Sequence, residues 1–390
     1  WWLDNTQRAL SNNSVSYTEK PDVGIFLKEW MALIASKSGE RGIFNRVAAK
    51  KQVEKLGDRR DSNYNFGTNP CSEIILRDKE FCNLTEVVVR PDDTPESLRE
   101  KVRLASILGT WQATLTDFRY LSKEWKTNCE EEALLGVSLT GIMDNQYTNG
   151  TYDNEKPVQA VQDQLPALLR MLKEAAVDTN KKVAKQLGIN PSAAITCVKP
   201  SGTVSQLVDA SSGIHARHSP HYIRTVRGDK KDPLCQFLVE KGIPHESDVT
   251  KPEHTWVFSF PIRTAPNAIC RNDKSAIEQL EFWKLYQEHW CEHKPSVTIT
   301  VKEDEWIEVG AWVFKNFDMI SGISFLPYSD HSYKQAPYQE CSENEYLEMF
   351  DKLPKDIDWN ELSKYELEDN TVGSQENACT GDKCEIVDIK

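Results

Sequence analysis

The sequence predicts an α/β protein, on two adjoining patterns. From Leu165 through Leu168, Leu169, Leu172, Ala176 and Val183 to Leu187, apolar residues recur on one helical face. Gly188 ends that run and Asn190-Pro191 turns the chain. The apolar stretch Ala193-Ala194-Ile195-Thr196-Cys197-Val198 follows, bounded by Lys199-Pro200, and is too short for a buried helix. It reads as a buried strand, and helix, glycine turn and strand in that order argue for α/β architecture.

The remaining elements are consistent with this class. Residues 21–60 mix helix and loop, with Gly39, Gly42 and Gly57 as breaks. Thr94-Pro95-Glu96-Ser97 is a helix start: a hydroxyl N-cap, Pro at the first helical position, then an acid at the positive end. Leu98, Val102, Ala105, Leu108, Leu115 and Phe118 continue it at helical spacing. Val297, Ile299 and Val301 alternate with Ser296, Thr298 and Thr300 as a strand, and Gly322–Leu326 forms another that ends at Pro327. Residues 351–390 carry 11 acidic and 5 basic side chains. A short helix is expected from Trp359 to Leu367. The stretch from Glu368 to Asp382 has too little apolar surface to order itself.

Composition narrows the function. The 390 residues carry a formal net charge of -13, which repels phosphate backbones and argues against general nucleic-acid binding. A pocket for one nucleotide remains compatible with it. No apolar run approaches the ~20 residues of a membrane helix. The chain opens Trp1-Trp2-Leu3-Asp4, without a basic n-region or signal peptide, so a start inside a longer protein or after processing is expected. Ten cysteines fall short of a disulfide scaffold, and a reducing cytoplasm is the expected compartment.

Three segments can carry chemistry. In Asn69-Pro70-Cys71-Ser72-Glu73, after the polar stretch Asp61–Thr68, a thiol lies two residues from an amide and from a carboxylate. Glu73 can remove a proton and Asn69 can hold a hydroxyl; a Pro turn with a buried thiol is the other reading. Lys199-Pro200-Ser201-Gly202-Thr203-Val204-Ser205-Gln206 leaves a strand and offers backbone N–H groups and hydroxyls to an anion, or is a plain helix cap. Cys379-Thr380-Gly381-Asp382-Lys383-Cys384 places small turn residues between two thiols that can close into a disulfide, with Lys383 favouring the thiolate. His215, His218 and His221, and His289 with Cys291, Glu292 and His293, suggest metal ligands by spacing; solvated or core histidines are the favoured reading, and no metal is assigned.

Together these segments resemble the large catalytic chain of ribonucleotide reductase. Asn69–Glu73 resembles its finger-loop motif. Phe81-Cys82-Asn83-Leu84-Thr85-Glu86 resembles the segment bearing one of its two reducing cysteines. The step from Cys71 to Cys82 is similar to that of the adenosylcobalamin-dependent class. Pro200-Ser201-Gly202-Thr203 with Ser205 resembles the substrate-phosphate loop, and Cys379 and Cys384 the tail cysteines that recharge the site. Gly213–Arg224 and Phe325–Tyr338 also resemble the cobalamin-dependent members.

The resemblance implies the C-terminal part of a ten-stranded α/β barrel with a central finger loop, over residues 1–350, and a flexible redox tail over 351–390. It implies a thiyl radical on Cys71, a base at Glu73, an orienting amide at Asn69 and a reducing thiol at Cys82. The substrate is a ribonucleoside tri- or diphosphate, its phosphates held by Ser201, Gly202, Thr203 and Ser205. Adenosylcobalamin is the implied cofactor. The implied partners are the N-terminal half of the reductase and thioredoxin or glutaredoxin. Three other readings stand beside it: a reductase drawing its radical from a small subunit through a relay tyrosine pair, to which Tyr338 is near; a glycyl-radical enzyme, disfavoured because Gly381 lies between two cysteines and not in a radical loop; and an inactive fragment serving assembly.

Overall fold

The computed structural model describes residues 13–37, 41–152, 158–329, 333–367, 378–380 and 383–385. In chain order its elements begin with β1 (Ser14–Tyr17), α1 (Val23–Ser36), β2 (Gly42–Asn45), α2 (Arg46–Glu54), β3 (Gly67–Thr68), β4 (Ile75–Leu76) and β5 (Asn83–Val88). Next come α3 (Pro95–Gln112), α4 (Lys123–Glu132), β6 (Leu135–Thr140), α5 (Gln146–Asn149), α6 (Val158–Leu187) and α7 (Val204–Leu207). Then follow β7 (His221–Asp229), α8 (Pro233–Glu240), β8 (His245–Ser247), β9 (Thr255–Arg263), α9 (Ala276–His289), β10 (Thr298–Val301) and α10 (Trp306–Lys315). The last are β11 (Gly322–Pro327), β12 (Tyr338–Glu340), α11 (Glu343–Lys352), β13 (Ala378–Thr380) and β14 (Lys383–Glu385).

The chain forms two compact units, Trp1–Arg217 with Asn267–Tyr328, and His218–Pro266 with Ser329–Lys390. The boundary expected at residue 350, between barrel and tail, is not where these units divide: it falls inside the second unit, within α11.

The first unit contains a strand wall. β5 pairs with β6 in parallel, and β10 with β11 in parallel. Between them runs the Ala193–Val198 stretch, bridging in parallel to β6 through Thr196 and to Pro295 through Val198. β11 then pairs antiparallel with β2, and β2 parallel with β1. All of β6 is buried, as expected of a parallel strand covered on both faces. Helices α3, α6 and α9 pack along this wall. Thr94 caps α3 in a capping box with Ser97, as its sequence signals. The helix stops at Gln112, so Leu115 and Phe118 lie beyond it. The core is aromatic: Trp283, Tyr286 and Trp290 are fully buried. Their polar atoms donate to the carbonyls of Pro295 (2.9 Å), Thr148 (2.7 Å) and Cys197 (2.7 Å), which removes the cost of burying them.

The second unit has an antiparallel sheet in the order β12, β7, β9, β8. Phe237 of α8 packs on Trp359 and Tyr365. The helix expected from Trp359 is a 3-10 turn, Trp359–Lys364. Most of Glu368–Asp382 lies outside the described residues. The exception is β13, which pairs antiparallel with β14, Cys379 opposite Cys384.

Candidate active site

Cys71 occupies the tip of a hairpin. β3 and β4 pair antiparallel, Gly67 with Leu76 and Thr68 with Ile75, and the loop between them is Asn69–Ile74. Asn69 shapes the turn: its carbonyl accepts from Ser72 N at 2.9 Å, and its Oδ1 from Ile74 N at 3.1 Å. Ser72 takes a positive φ of 66°, a strained conformation for a residue with a Cβ. Its surroundings must therefore hold it there.

The hairpin is held from behind by buried charge. Arg60 makes a bidentate contact with Glu132 and donates to Ile75 O at 2.9 Å. Its aliphatic and guanidinium groups are fully buried, so the pairing offsets the cost of desolvating them. His293, fully buried, joins the hairpin to the wall: Nδ1 accepts from Ile75 N at 3.2 Å and Nε2 faces Leu135 O at 3.0 Å. Burial and the nearby Arg60 depress its pKa to about 3, so the ring is neutral, protonated on Nε2.

The segment after His293 grips the loop tip. Lys294 N donates to Glu73 O at 3.2 Å, Lys294 Nζ to Ser72 Oγ at 2.6 Å, and Ser296 Oγ to Cys71 O at 2.6 Å. Sequence reasoning missed His293, Lys294 and Ser296 in these roles. The one local signal is a polar run, Glu292-His293-Lys294, placed where a buried strand begins.

Cys71 and Ser72 line a cavity of about 410 Å³, together with Pro200, His215, Lys294 and Ser296. Burial first, then the charge of Glu73, raises the Cys71 pKa, so the sulfur carries its hydrogen at neutral pH. Glu73 lies behind the tip, fully buried, and neither carboxylate oxygen has a hydrogen-bond donor. Lys199 Nζ is 3.9 Å from Glu73 Oε1. Asn69 and Glu73 are therefore beside Cys71 in the loop but outside the cavity wall in this state.

Cys82 precedes β5 and packs, as do Leu56 and Leu76, against the cluster of Leu134, Ala193 and Ala194. Burial, reinforced by Glu73 and Glu80, pushes its pKa up to about 12. In the anion loop, Ser201 and Ser205 are buried while Gly202 and Thr203 are exposed. The Ser201 hydroxyl donates to Glu86 and accepts from Ser205 N at 3.2 Å, and the Ser205 hydroxyl donates to Ser201 O. Both serines build the loop, and its open face belongs to Gly202 and Thr203.

His215 is positioned by Ser212 O at Nδ1 (2.8 Å) and Thr298 N at Nε2 (3.0 Å). His289 ends α9 and His293 lies past it, so the two do not share a helical face. Among the described residues, no group of three or more His, Cys, Asp or Glu side chains can hold a metal. Tyr338 stacks with His218 and lies under Arg224 in the second unit.

No protein-family model matches the chain. It is 31% identical over 316 residues to an adenosylcobalamin-dependent ribonucleoside-triphosphate reductase of Lactobacillus acidophilus, spanning 75% of this chain and 41% of the relative. A protein of the same name from Euglena gracilis is 26% identical over 354 residues, 89% of this chain and 46% of its own length. The solved structure of a B12-dependent (class II) ribonucleotide reductase matches with a TM-score of 0.75 and 25% identity, over 93% of this chain and 52% of that chain. This chain belongs to the ribonucleotide reductase family. The class Id ribonucleotide reductase alpha subunit of Actinobacillus ureae shares the fold, with a TM-score of 0.51 and 14% identity, over 81% of this chain and 65% of that one. The chain spans about half the length of the reductases it matches. Its strand wall is the C-terminal part of the reductase α/β barrel, and the β3–β4 hairpin corresponds in sequence motif to the reductase finger loop.

Proposed function

We propose that this chain supplies the thiyl-radical half of an adenosylcobalamin-dependent ribonucleotide reductase, which converts ribonucleoside triphosphates to 2′-deoxyribonucleotides. The observation that carries the reading is Cys71, a protonated thiol at the tip of a clamped loop in a cavity of nucleoside size, with a buried carboxylate that accepts no hydrogen bond behind it. Hydrogen-atom transfer needs S–H rather than thiolate, and burial keeps it so. The triphosphate is preferred to the diphosphate on the names of the relatives.

When bound, adenosylcobalamin supplies an organic radical. The cavity suits a nucleoside and is too small for a corrin; Cys71 is the group of this chain that fits the cofactor's chemistry, and no corrin contact is assigned. Cys71, having given up its hydrogen atom, takes the ribose 3′ hydrogen. Glu73 accepts the 3′ hydroxyl proton, and Asn69 orients that hydroxyl. The 2′ hydroxyl departs as water. Cys82 and a second cysteine, outside this chain, give two electrons and two protons and become a disulfide. Cys71 then returns the hydrogen to the 3′ carbon, and Glu73 returns the proton to the 3′ oxygen. Cys379 and Cys384, in the redox tail over 351–390, reduce the disulfide by exchange and are reset by thioredoxin or glutaredoxin. Gly202 and Thr203 hold the phosphates on a loop shaped by Ser201 and Ser205.

The test is deoxynucleotide formation with adenosylcobalamin and a dithiol, using this chain alone and with a supplied N-terminal half of the reductase. Product in the mixture, abolished by Cys71→Ser, is expected. No product from a folded mixture overturns the reading in favour of a radical-delivering small subunit or an assembly fragment.

A further inference from the structure

Lys294 is a fully buried lysine that reaches the tip of the loop. Its Nζ donates to Ser72 Oγ at 2.6 Å, and both residues line the Cys71 cavity. The room for this contact is made by Gly322 at the start of β11. A Cβ there would stand 1.8 Å from Lys294 Nζ and 2.8 Å from Ser72 Oγ. Ser72 is the residue with the positive φ, so the strained turn and the buried amine are in direct contact. The titratable groups acting on Lys294 are Glu73 and, more weakly, Cys291, a buried thiol that burial keeps protonated.

We propose that Lys294 is a positioning residue: through Ser72 it fixes the strained loop tip, and so aims the Cys71 sulfur into the cavity. A buried amine is an expensive way to hold a loop if packing alone were wanted, because its charged form is desolvated. Burial draws its pKa down to about 7, despite the carboxylate of Glu73. An apolar side chain of the same length would pack there at lower cost. Retaining the lysine is explained by what its Nζ does to Ser72. The meaning of the aim rests on the radical-loop reading, but the geometry can be tested without turnover.

The experiment measures the iodoacetamide labelling rate of Cys71 in the whole chain by peptide mass spectrometry. Cys341, a half-buried thiol of the other unit, serves as the internal reference. Lys294→Met and Ser72→Ala are each expected to speed Cys71 labelling about tenfold, the shift that follows loss of one charge-assisted hydrogen bond. The double variant should be no faster than either single, because both remove one contact. Cys341 should be unaffected, and the melting temperature of Lys294→Met should hold or rise. Unchanged Cys71 labelling in folded single variants overturns the proposal, as do multiplying effects in the double variant. A lower melting temperature with both thiols accelerating together also overturns it, since that marks an ordinary structural lysine. If Lys294→Met does not fold, the Cys71 rate in Ser72→Ala decides alone. Deoxynucleotide formation is a separate readout, so loss of the reductase reading and loss of the positioning role are distinguishable.

Discussion

The hydroxyl of Ser296 donates to the carbonyl of Cys71 across 2.6 Å and 225 positions of sequence. The cysteine at the loop tip is thus held through its backbone carbonyl, and its side chain takes no part in that contact. Ser296→Ala should cost about 1 kcal/mol of unfolding free energy, the net worth of one such hydrogen bond. Urea denaturation measures it, and an unchanged midpoint would show that water replaces the hydroxyl.

Glu73 is a carboxylate without hydrogen-bond donors, a burden on the folded state. Glu73→Gln keeps the shape and removes the charge. The amide is just as short of partners and gives up the Lys199 contact at 3.9 Å, so stability should stay within about 1 kcal/mol of the parent. The substitution should lower turnover of the assembled enzyme about 100-fold or more, as loss of a general base does. Paired melting and turnover assays check this; a fall in both would make Glu73 structural.

Two buried groups give stability opposite responses to alkali. The Cys82 thiol ionises near 9 when unfolded and at about 12 when folded. Its contribution is complete below pH 9 and is lost as pH rises toward 12, because the unfolded chain releases its proton first. Lys294 ionises at about 7 folded and 10.5 unfolded, so its burial cost fades as pH rises between those values. The stability difference between wild type and Cys82→Ala should therefore shrink from pH 9 to 11. That between wild type and Lys294→Met should move in favour of wild type from pH 7 to 10. Parallel curves in either pair would remove the corresponding group from this account.

Gly322→Ala puts a methyl group into the space occupied by Lys294 Nζ and Ser72 Oγ. Because both contacts sit in a packed interior, the expected cost is about 1–3 kcal/mol. Cys71 should label faster in the folded fraction. A neutral substitution would mean that the lysine has a second resting place.

What was legible in the sequence was local. Asn69–Glu73 forms a turn by its own chemistry, and the Thr94 cap and the α6 stripe are written in consecutive residues. β2 escaped notice because its four buried residues, Gly42–Asn45, lead straight into α2 through the Asn45 cap, leaving no period to read. The Ala193–Val198 run does lie buried in the wall, but only isolated bridges join it there. Ser201 and Ser205 read as phosphate ligands by type, and their inward bonds to Glu86 and to the loop backbone come from burial that one-dimensional spacing does not encode. The contacts of His293, Lys294 and Ser296 with the hairpin join positions that only the completed barrel wall brings together.

That distance has a consequence for folding. The hairpin can close on its own, since β3 and β4 are neighbours in sequence. Its tip acquires the contacts that aim it only after the chain has been threaded through α3, α6 and α9 and the β10 segment has docked. Closing so long a loop is slow compared with local turn formation. A partly folded chain therefore carries an ordinary, unaimed cysteine at position 71. On the proposed function, the loop tip becomes fit to carry a radical only when the last strands of the wall have docked, so that fitness is a property of the finished fold and of no shorter segment.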